Sequence, residues 1–304
     1  MLYFTFAFLV LVSLYSGNAA LAIFAGILFA YLLQPPATFF TRRIGTMPLQ
    51  IGIVLLGTTI SLPDAIDVSS DYLPWISLFV IVSFFTGLIL GKLLGIHRRV
   101  AFLLSSGAAI CGGTAMAAVA PIIKAKPQEL LIAMTIVFLL NAVAIILFPI
   151  IGGYLEMTNF EFGAWSALAI HDTSSVVGAA MVYGEEAVES AATLKLGRTL
   201  WIIPLILYLS YKHQVKSSTK FQLPVFVIFF ILAIVIGSYI DFNSETMSFI
   251  KLISQSFLLL GLFCIGSQID KKVLSNISIK PLQLALILWI IIIPSSFLLI
   301  QAII

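Results

Sequence analysis

The run Ile170-His171-Asp172-Thr173-Ser174-Ser175-Val176-Val177-Gly178 sets five polar residues, two of them ionisable, at the centre of an apolar window from Phe162 to Tyr183. An ionisable group at mid-bilayer costs at least about 2.5–3.5 kcal/mol on insertion scales, so it normally faces a bundle interior or a watery cavity and marks a solute or ion path. His171 and Asp172 are titratable and are candidates for carrying a coupling proton. The same carboxylate, with the hydroxyls of Thr173 and Ser174, can instead hold a sodium ion through oxygens. On a continuous helix His171, Ser174 and Ser175 would share one face and Asp172 and Ser175 the adjoining one, so a single cavity can see the whole set.

A second cluster, Ser105-Ser106-Gly107-Ala108-Ala109-Ile110-Cys111-Gly112-Gly113-Thr114-Ala115, lies at the centre of the window Val100 to Ile123 and continues through Ala117-Ala118 to Pro121. Paired glycines have the lowest helix preference short of proline, and without side chains their backbone N–H groups can approach a solute closely. A break here exposes the positive end of the following half-helix, an anion site offered by the amides near Gly113 and Thr114. The competing explanation is close packing of helices through small residues. Candidate solute-binding residues are therefore Cys111, Gly112, Gly113, Thr114, His171, Asp172, Thr173, Ser174 and Ser175, with Arg198 added for its charge. Arg198 sits one turn inside the window Leu196 to Tyr211, where it serves either as a snorkelling anchor or as a counter-charge for an anion. Asn141 reads as a helix-to-helix hydrogen bond.

Other chemistries fit these residues poorly. His171 and Asp172 point about 100° apart on a helix, and no GxSxG-type elbow presents a serine nucleophile. Two ligands are too few for a metal site, and Cys111 is not tied to them by any spacing. No catalytic residue, metal or organic cofactor is expected; the only ions implied are H+ or Na+ for coupling. Cys111 and Cys264 fall in apolar windows without CxxC spacing and read as packed thiols.

The elements that must position these clusters are membrane spans. The chain is 61% hydrophobic and 10% charged over 304 residues, with a mean hydropathy of +1.15, far from the roughly 45–50% apolar and 25% charged of soluble domains. Windows approaching the roughly 20 apolar residues that cross about 30 Å of hydrocarbon recur throughout, so an all-α polytopic membrane protein of about 10–11 helices without an extramembrane domain is expected. The windows are Leu2 to Tyr15, Leu21 to Leu33, Leu49 to Ser61, Leu73 to Leu90, Val100 to Ile123, Leu130 to Ile151, Phe162 to Tyr183, Leu196 to Tyr211, Leu223 to Ile240, Phe249 to Ile269 and Leu282 to Ile303. Met1 to Tyr15 lacks the basic n-region of a signal peptide and reads as a short first span.

The formal charge of +3 comes from basic residues in short loops, as topology requires, and gives nucleic acid binding no support. Arg42-Arg43, Lys92 with Arg98-Arg99, Lys212 with Lys216 and Lys220, and Lys271-Lys272 with Lys280 are expected on the cytoplasmic side. Lys124, Lys126, Glu156 and Glu161 fit that rule better if residues 100–123 and 162–183 turn back as re-entrant hairpins than if they cross. A faint repeat links Ile51-Gly52-Ile53-Val54-Leu55-Leu56-Gly57 with the stretch from Leu258 to Gly266. Interrupted spans are the signature of broken helices in secondary transporters.

The stretches Gly52 to Gly57, Ala109 to Ala115 with Ala117 to Pro121, Ile170 to Thr173 with Val176-Val177, and Lys195-Leu196 with Arg198 and Pro204 resemble the YeiH-like family of inner-membrane proteins, to which sulfate export is ascribed. Thr58-Thr59 and Ser174-Ser175 depart from the pattern expected there. That family in turn resembles the sodium/proton antiporter and bile-acid symporter group, which implies an inverted repeat with two discontinuous helices, here in approximate halves 19–151 and 162–304 of one transporter domain. The expected function is secondary active transport of a small anion such as sulfate, a sulfonate or a carboxylate. The alternatives are a passive anion channel and, more remotely, an intramembrane enzyme. The expected partners are the bilayer of a bacterial inner membrane, the anionic solute and a second copy of the chain.

Overall fold

The computed structural model describes residues 2–36, 38–45, 47–212, 225–240, 242–268 and 278–304. Every regular element among them is a helix: α1 (Leu2–Ser16), α2 (Ala19–Leu33), α3 (Phe40–Ile44), α4 (Met47–Gly57), α5 (Leu62–Leu93), α6 (Arg98–Ala109), α7 (Gly113–Ile122), α8 (Pro127–Tyr154), α9 (Asn159–Ala169), α10 (Thr173–Tyr183), α11 (Glu185–Thr199), α12 (Ile202–Lys212), α13 (Val225–Tyr239), α14 (Ser244–Gly266) and α15 (Ile279–Ile303). Helices are what a polytopic chain must form, because lipid offers no hydrogen bonds to an unpaired backbone. Polar side chains start several of them. Asn18 accepts from the Leu21 N–H and Asn243 from that of Thr246, while Thr158 and Glu161 close a reciprocal capping box on α9.

Each of the eleven expected windows coincides with helix over most of its described residues, and among the described residues five helical stretches are long and apolar enough to cross a membrane: Ser70–Leu93, Pro127–Tyr154, Glu186–Lys212, Ser244–Gly266 and Ile279–Ile303. One expected window needs correction, and the two expected breaks are present. The window opened at Leu196 begins too late, because the helix ahead of it starts at Glu185, and hydropathy alone could not see this through three glutamates and a lysine. The windows Val100 to Ile123 and Phe162 to Tyr183 are each two helices with a break between them. The orientation signals at Lys216, Lys220, Lys271 and Lys272 lie outside the described residues.

The helices gather into two compact units, Met1–Ile66 with Val225–Ser275, and Asp67–Pro224 with Asn276–Ile304. Each unit draws on both of the approximate halves 19–151 and 162–304. In the first, α14 packs on α4 and α2 through small residues. Ser254 Oγ donates to the Gly52 carbonyl at 2.8 Å, and a Cβ on Gly52 would lie 2.8 Å from Leu258. The two stretches with repeat-like sequence are thus packed face to face. Phe6, Phe29, Phe39 and Phe40 gather round Phe263 at one end of this bundle.

In the second unit α11 packs on α9 and α10, α10 on α8, and α15 on α9, α6 and α8. Phe148 stacks between Trp165 and Trp289, with ring centroids 4.6 and 5.9 Å away. The Trp165 indole N–H donates to the Ile293 carbonyl. These rings fix α8, α9 and α15 around the breaks.

Small-residue packing makes a sharp contrast testable. A Cβ on Gly261 would stand 2.6 Å from the Leu49 backbone nitrogen, whereas one on Gly197 meets nothing within 4 Å. Gly261→Val is expected to destabilise by about 1–3 kcal/mol through overpacking, and Gly197→Ala to be neutral or stabilising by about 0.5–1 kcal/mol. Thermal unfolding of both variants in detergent measures the difference.

Candidate functional site

The second unit is organised by two helix breaks that touch. α6 ends at Ala109 and α7 begins at Gly113; the chain between them turns through Ile110, Cys111 and Gly112, with Gly112 at φ 61° and ψ −124°. That left-handed backbone suits glycine, and a Cβ there would lie 2.9 Å from the Cβ of Asp172. α9 ends at Ala169, and Ile170, His171 and Asp172 lead extended into α10. His171 and Asp172 therefore do not share the faces of a continuous helix, as the sequence reading assumed; they form the break itself.

Each break creates orphan backbone groups, and side chains answer several of them. Asp172 is the N-cap of α10: its Oδ1 accepts from the Ser175 backbone N–H at 2.8 Å, and its Oδ2 from the Ser175 hydroxyl at 2.8 Å and the Asn141 amide at 2.5 Å. Asn141, on α8, turns its Oδ1 to His171 Nδ1 at 3.2 Å. Because the carboxylate takes the amide N–H, Oδ1 is the acceptor and the imidazole proton sits on Nδ1. Asn141 thus ties α8 to both residues of the second break.

At the other polarity stand Lys195 and Arg198, three residues apart on one face of α11 and both 0% exposed. Arg198 donates from Nε to the Ala109 carbonyl at 2.6 Å, from Nη1 to those of Ala167 and Leu168 at 3.0 and 2.5 Å, and from Nη2 to that of Ala108. Lys195 donates to Ile170 and Ala167 carbonyls at 2.6 and 3.2 Å. For α6 the accounting closes: the Ser106 and Gly107 carbonyls take the N–H groups of Ile110 and Gly112, and those of Ala108 and Ala109 take Arg198. One guanidinium therefore caps the C-terminal ends of two half-helices, where the peptide dipoles concentrate negative charge.

The sequence-predicted residues divide by exposure. Cys111, Gly112, His171, Thr173, Ser175 and Arg198 are buried; Gly113, Asp172 and Ser174 are partly exposed and Thr114 is exposed. Arg198 is not a snorkelling side chain at a window's edge, since its donors are spent on buried carbonyls. Lys195 is the residue left out of the sequence-predicted set, while Asn141, read as a helix-to-helix hydrogen bond, makes one to each of His171 and Asp172. The available signal was the Lys-x-x-Arg spacing next to the small residues Ala191, Ala192 and Gly197. Cys111 and Cys264 are buried free thiols, as expected.

This arrangement belongs to a protein with well-populated kin. The family model described as conserved hypothetical protein 698 matches residues 4–285. The chain belongs to this family. Among its relatives, each called a UPF0324 membrane protein, one from Porphyromonas gingivalis is 42% identical over 251 residues, covering 80% of this chain and 75% of the relative. One from Bacteroides thetaiotaomicron is 38% identical over 273 residues, 89% and 82% of the two chains. One from Shewanella oneidensis is 39% identical over 272 residues, 90% and 86%. The matches bear out the resemblance to the YeiH-like family and, with the five long apolar helices, a multi-pass bacterial inner-membrane protein. No solved structure matches the chain.

Arg198→Lys keeps a charge but a single ammonium cannot span both half-helix ends, so a loss of at least about 2 kcal/mol is expected. Asn141→Leu leaves the His171 N–H without its partner and removes one of the two hydrogen bonds to Asp172 Oδ2, for about 1–3 kcal/mol. Both read as lower midpoints of thermal unfolding in detergent, with Asn141→Gln as the polar control.

Proposed function

We propose that the chain is a secondary transporter of a small oxyanion, in the class of sulfate, sulfonates and carboxylates, working by alternating access and driven by an ion gradient. The observation that carries this reading is the polarity of the crossing. The two half-helix C-termini are neutralised from within by Arg198 and Lys195, which leaves the N-terminal ends of α7 and α10 to set the field beside the partly exposed Gly113, Thr114 and Ser174. α10 is closed by the carboxylate of Asp172, while α7 starts at Gly112 with no side-chain cap. Its free amides, with two cations behind them, suit an anion.

In this reading the two broken helices are equivalent parts of an inverted repeat. The two compact units, each assembled from both halves of the chain, support that arrangement because a repeat whose corresponding elements gather together builds units of this kind. Cys111, His171, Thr173 and Ser175 act from behind the solute, shaping the breaks, and His171 and Asp172 lie where a coupling ion would be read.

The test is flux. Purified protein in liposomes is expected to move radiolabelled sulfate or a simple sulfonate saturably, with Gly113→Val and Asp172→Asn reduced to the background of empty liposomes. Wild-type flux in both variants, or no anion flux at all, would overturn the reading; non-saturating conductance indifferent to the gradient would replace it with a channel.

A further inference from the structure

Broken helices in transporters bring unwound carbonyls and half-helix C-termini together, and such oxygens commonly coordinate a coupling cation. Here the same oxygens are already engaged. The carbonyls of Ala108, Ala109, Ala167, Leu168 and Ile170 accept from Arg198 and Lys195 in six hydrogen bonds. Both oxygens of Asp172 are taken by Ser175 and Asn141. The arginine's fork reaches the ends of α6 and α9 at once.

We propose that Arg198 and Lys195 stand permanently in the place of a bound alkali cation at this crossing, so that the protein binds and moves its solute without sodium. The carbonyl cluster needs positive charge to hold two half-helix C-termini close together, since their dipoles repel. In a cation-coupled design that charge arrives and leaves with the ion, which links the conformation of the breaks to the gradient. With the cationic groups covalently attached to α11, a sodium ion finds these five carbonyls and both oxygens of Asp172 already engaged, and a field that does not favour it. The remaining positive field is directed at an anion. The inference takes the crossing to be the solute site, as above, and narrows the coupling ion to a proton or to none.

Two measurements test it on the full-length protein. The first needs no transport: the thermal midpoint of the wild type is compared in sodium chloride and in N-methylglucamine chloride at equal ionic strength, for the wild type, Lys195→Ala and Lys195→Arg. The wild type and Lys195→Arg are expected to show no sodium-specific shift, whereas Lys195→Ala opens space beside the Ala167 and Ile170 carbonyls and gains a sodium-dependent rise of a few degrees. A sodium-specific rise in the wild type overturns the proposal. If Lys195→Ala does not fold, the wild-type comparison still decides. The second is sulfate flux in liposomes with N-methylglucamine replacing sodium on both sides, where the wild-type rate is expected to be unchanged; loss of flux on removing sodium overturns the proposal. An absence of sulfate flux in either salt, with no sodium-specific thermal shift, sinks the transport reading and leaves the occupancy of the crossing as described.

Discussion

Two helices that stop in the middle of a membrane protein confront each other with unpaired carbonyls, and one guanidinium answers both. The bonds from Arg198 to Ala108 and Ala109 on one side and to Ala167 and Leu168 on the other hold α6 and α9 end to end with α11. An unsatisfied buried carbonyl costs about 1–3 kcal/mol, so four of them left open would consume most of the stability of an ordinary domain, about 5–15 kcal/mol. Lys195, one turn earlier on the same face, adds Ala167 and Ile170. The breaks are tolerable only because this pair is there.

The rest of the second unit follows from that constraint. Lys195 and Arg198 can be fully enclosed because six hydrogen bonds from them end on carbonyls, and the helix that carries them can be buried despite its polar sequence because its neighbours are close. A Cβ on Gly163 of α9 would stand 2.7 Å from the Ala187 carbonyl of α11, so only glycine lets the two backbones approach and brings Lys195 within reach of Ile170. Asn141 does the complementary work on the acceptor side, joining His171 and Asp172 to α8. Positive groups thus close the C-terminal ends and a carboxylate closes one N-terminal end, while the start of α7 at Gly113 carries no such cap.

The first unit solves a simpler problem by other means. Its helices α1 and α2 have 15 residues each, about 22 Å at 1.5 Å per residue, short of a full hydrocarbon thickness. They gain stability from backbone approach at glycines, as at Gly52 against Ser254 and Gly261 against Leu49, and from the phenylalanine cluster round Phe263. Where small residues serve packing in this unit, the paired glycines of the other serve a break; the same residue type answers two different needs.

By itself the sequence determined the membrane class, the place of the helical windows other than the one that α11 opens, and the two interruptions, because hydrophobicity over a 20-residue window, paired glycines and a polar run at mid-window are local properties. It also exposed the chemistry-bearing residues of both breaks. It did not determine that α11 is a buried span, because its three glutamates, lysine and arginine mask the hydropathy signal that burial would otherwise give. Nor did it show that His171 and Asp172 lie in a break and not on a helix, that Asn141 bridges them, or that Lys195 and Arg198 turn toward carbonyls 25 to 90 positions away. Those pairings are long-range, and only the tertiary structure, by bringing the ends of α6 and α9 against one face of α11, decided which groups were left unpaired and which side chains had to meet them.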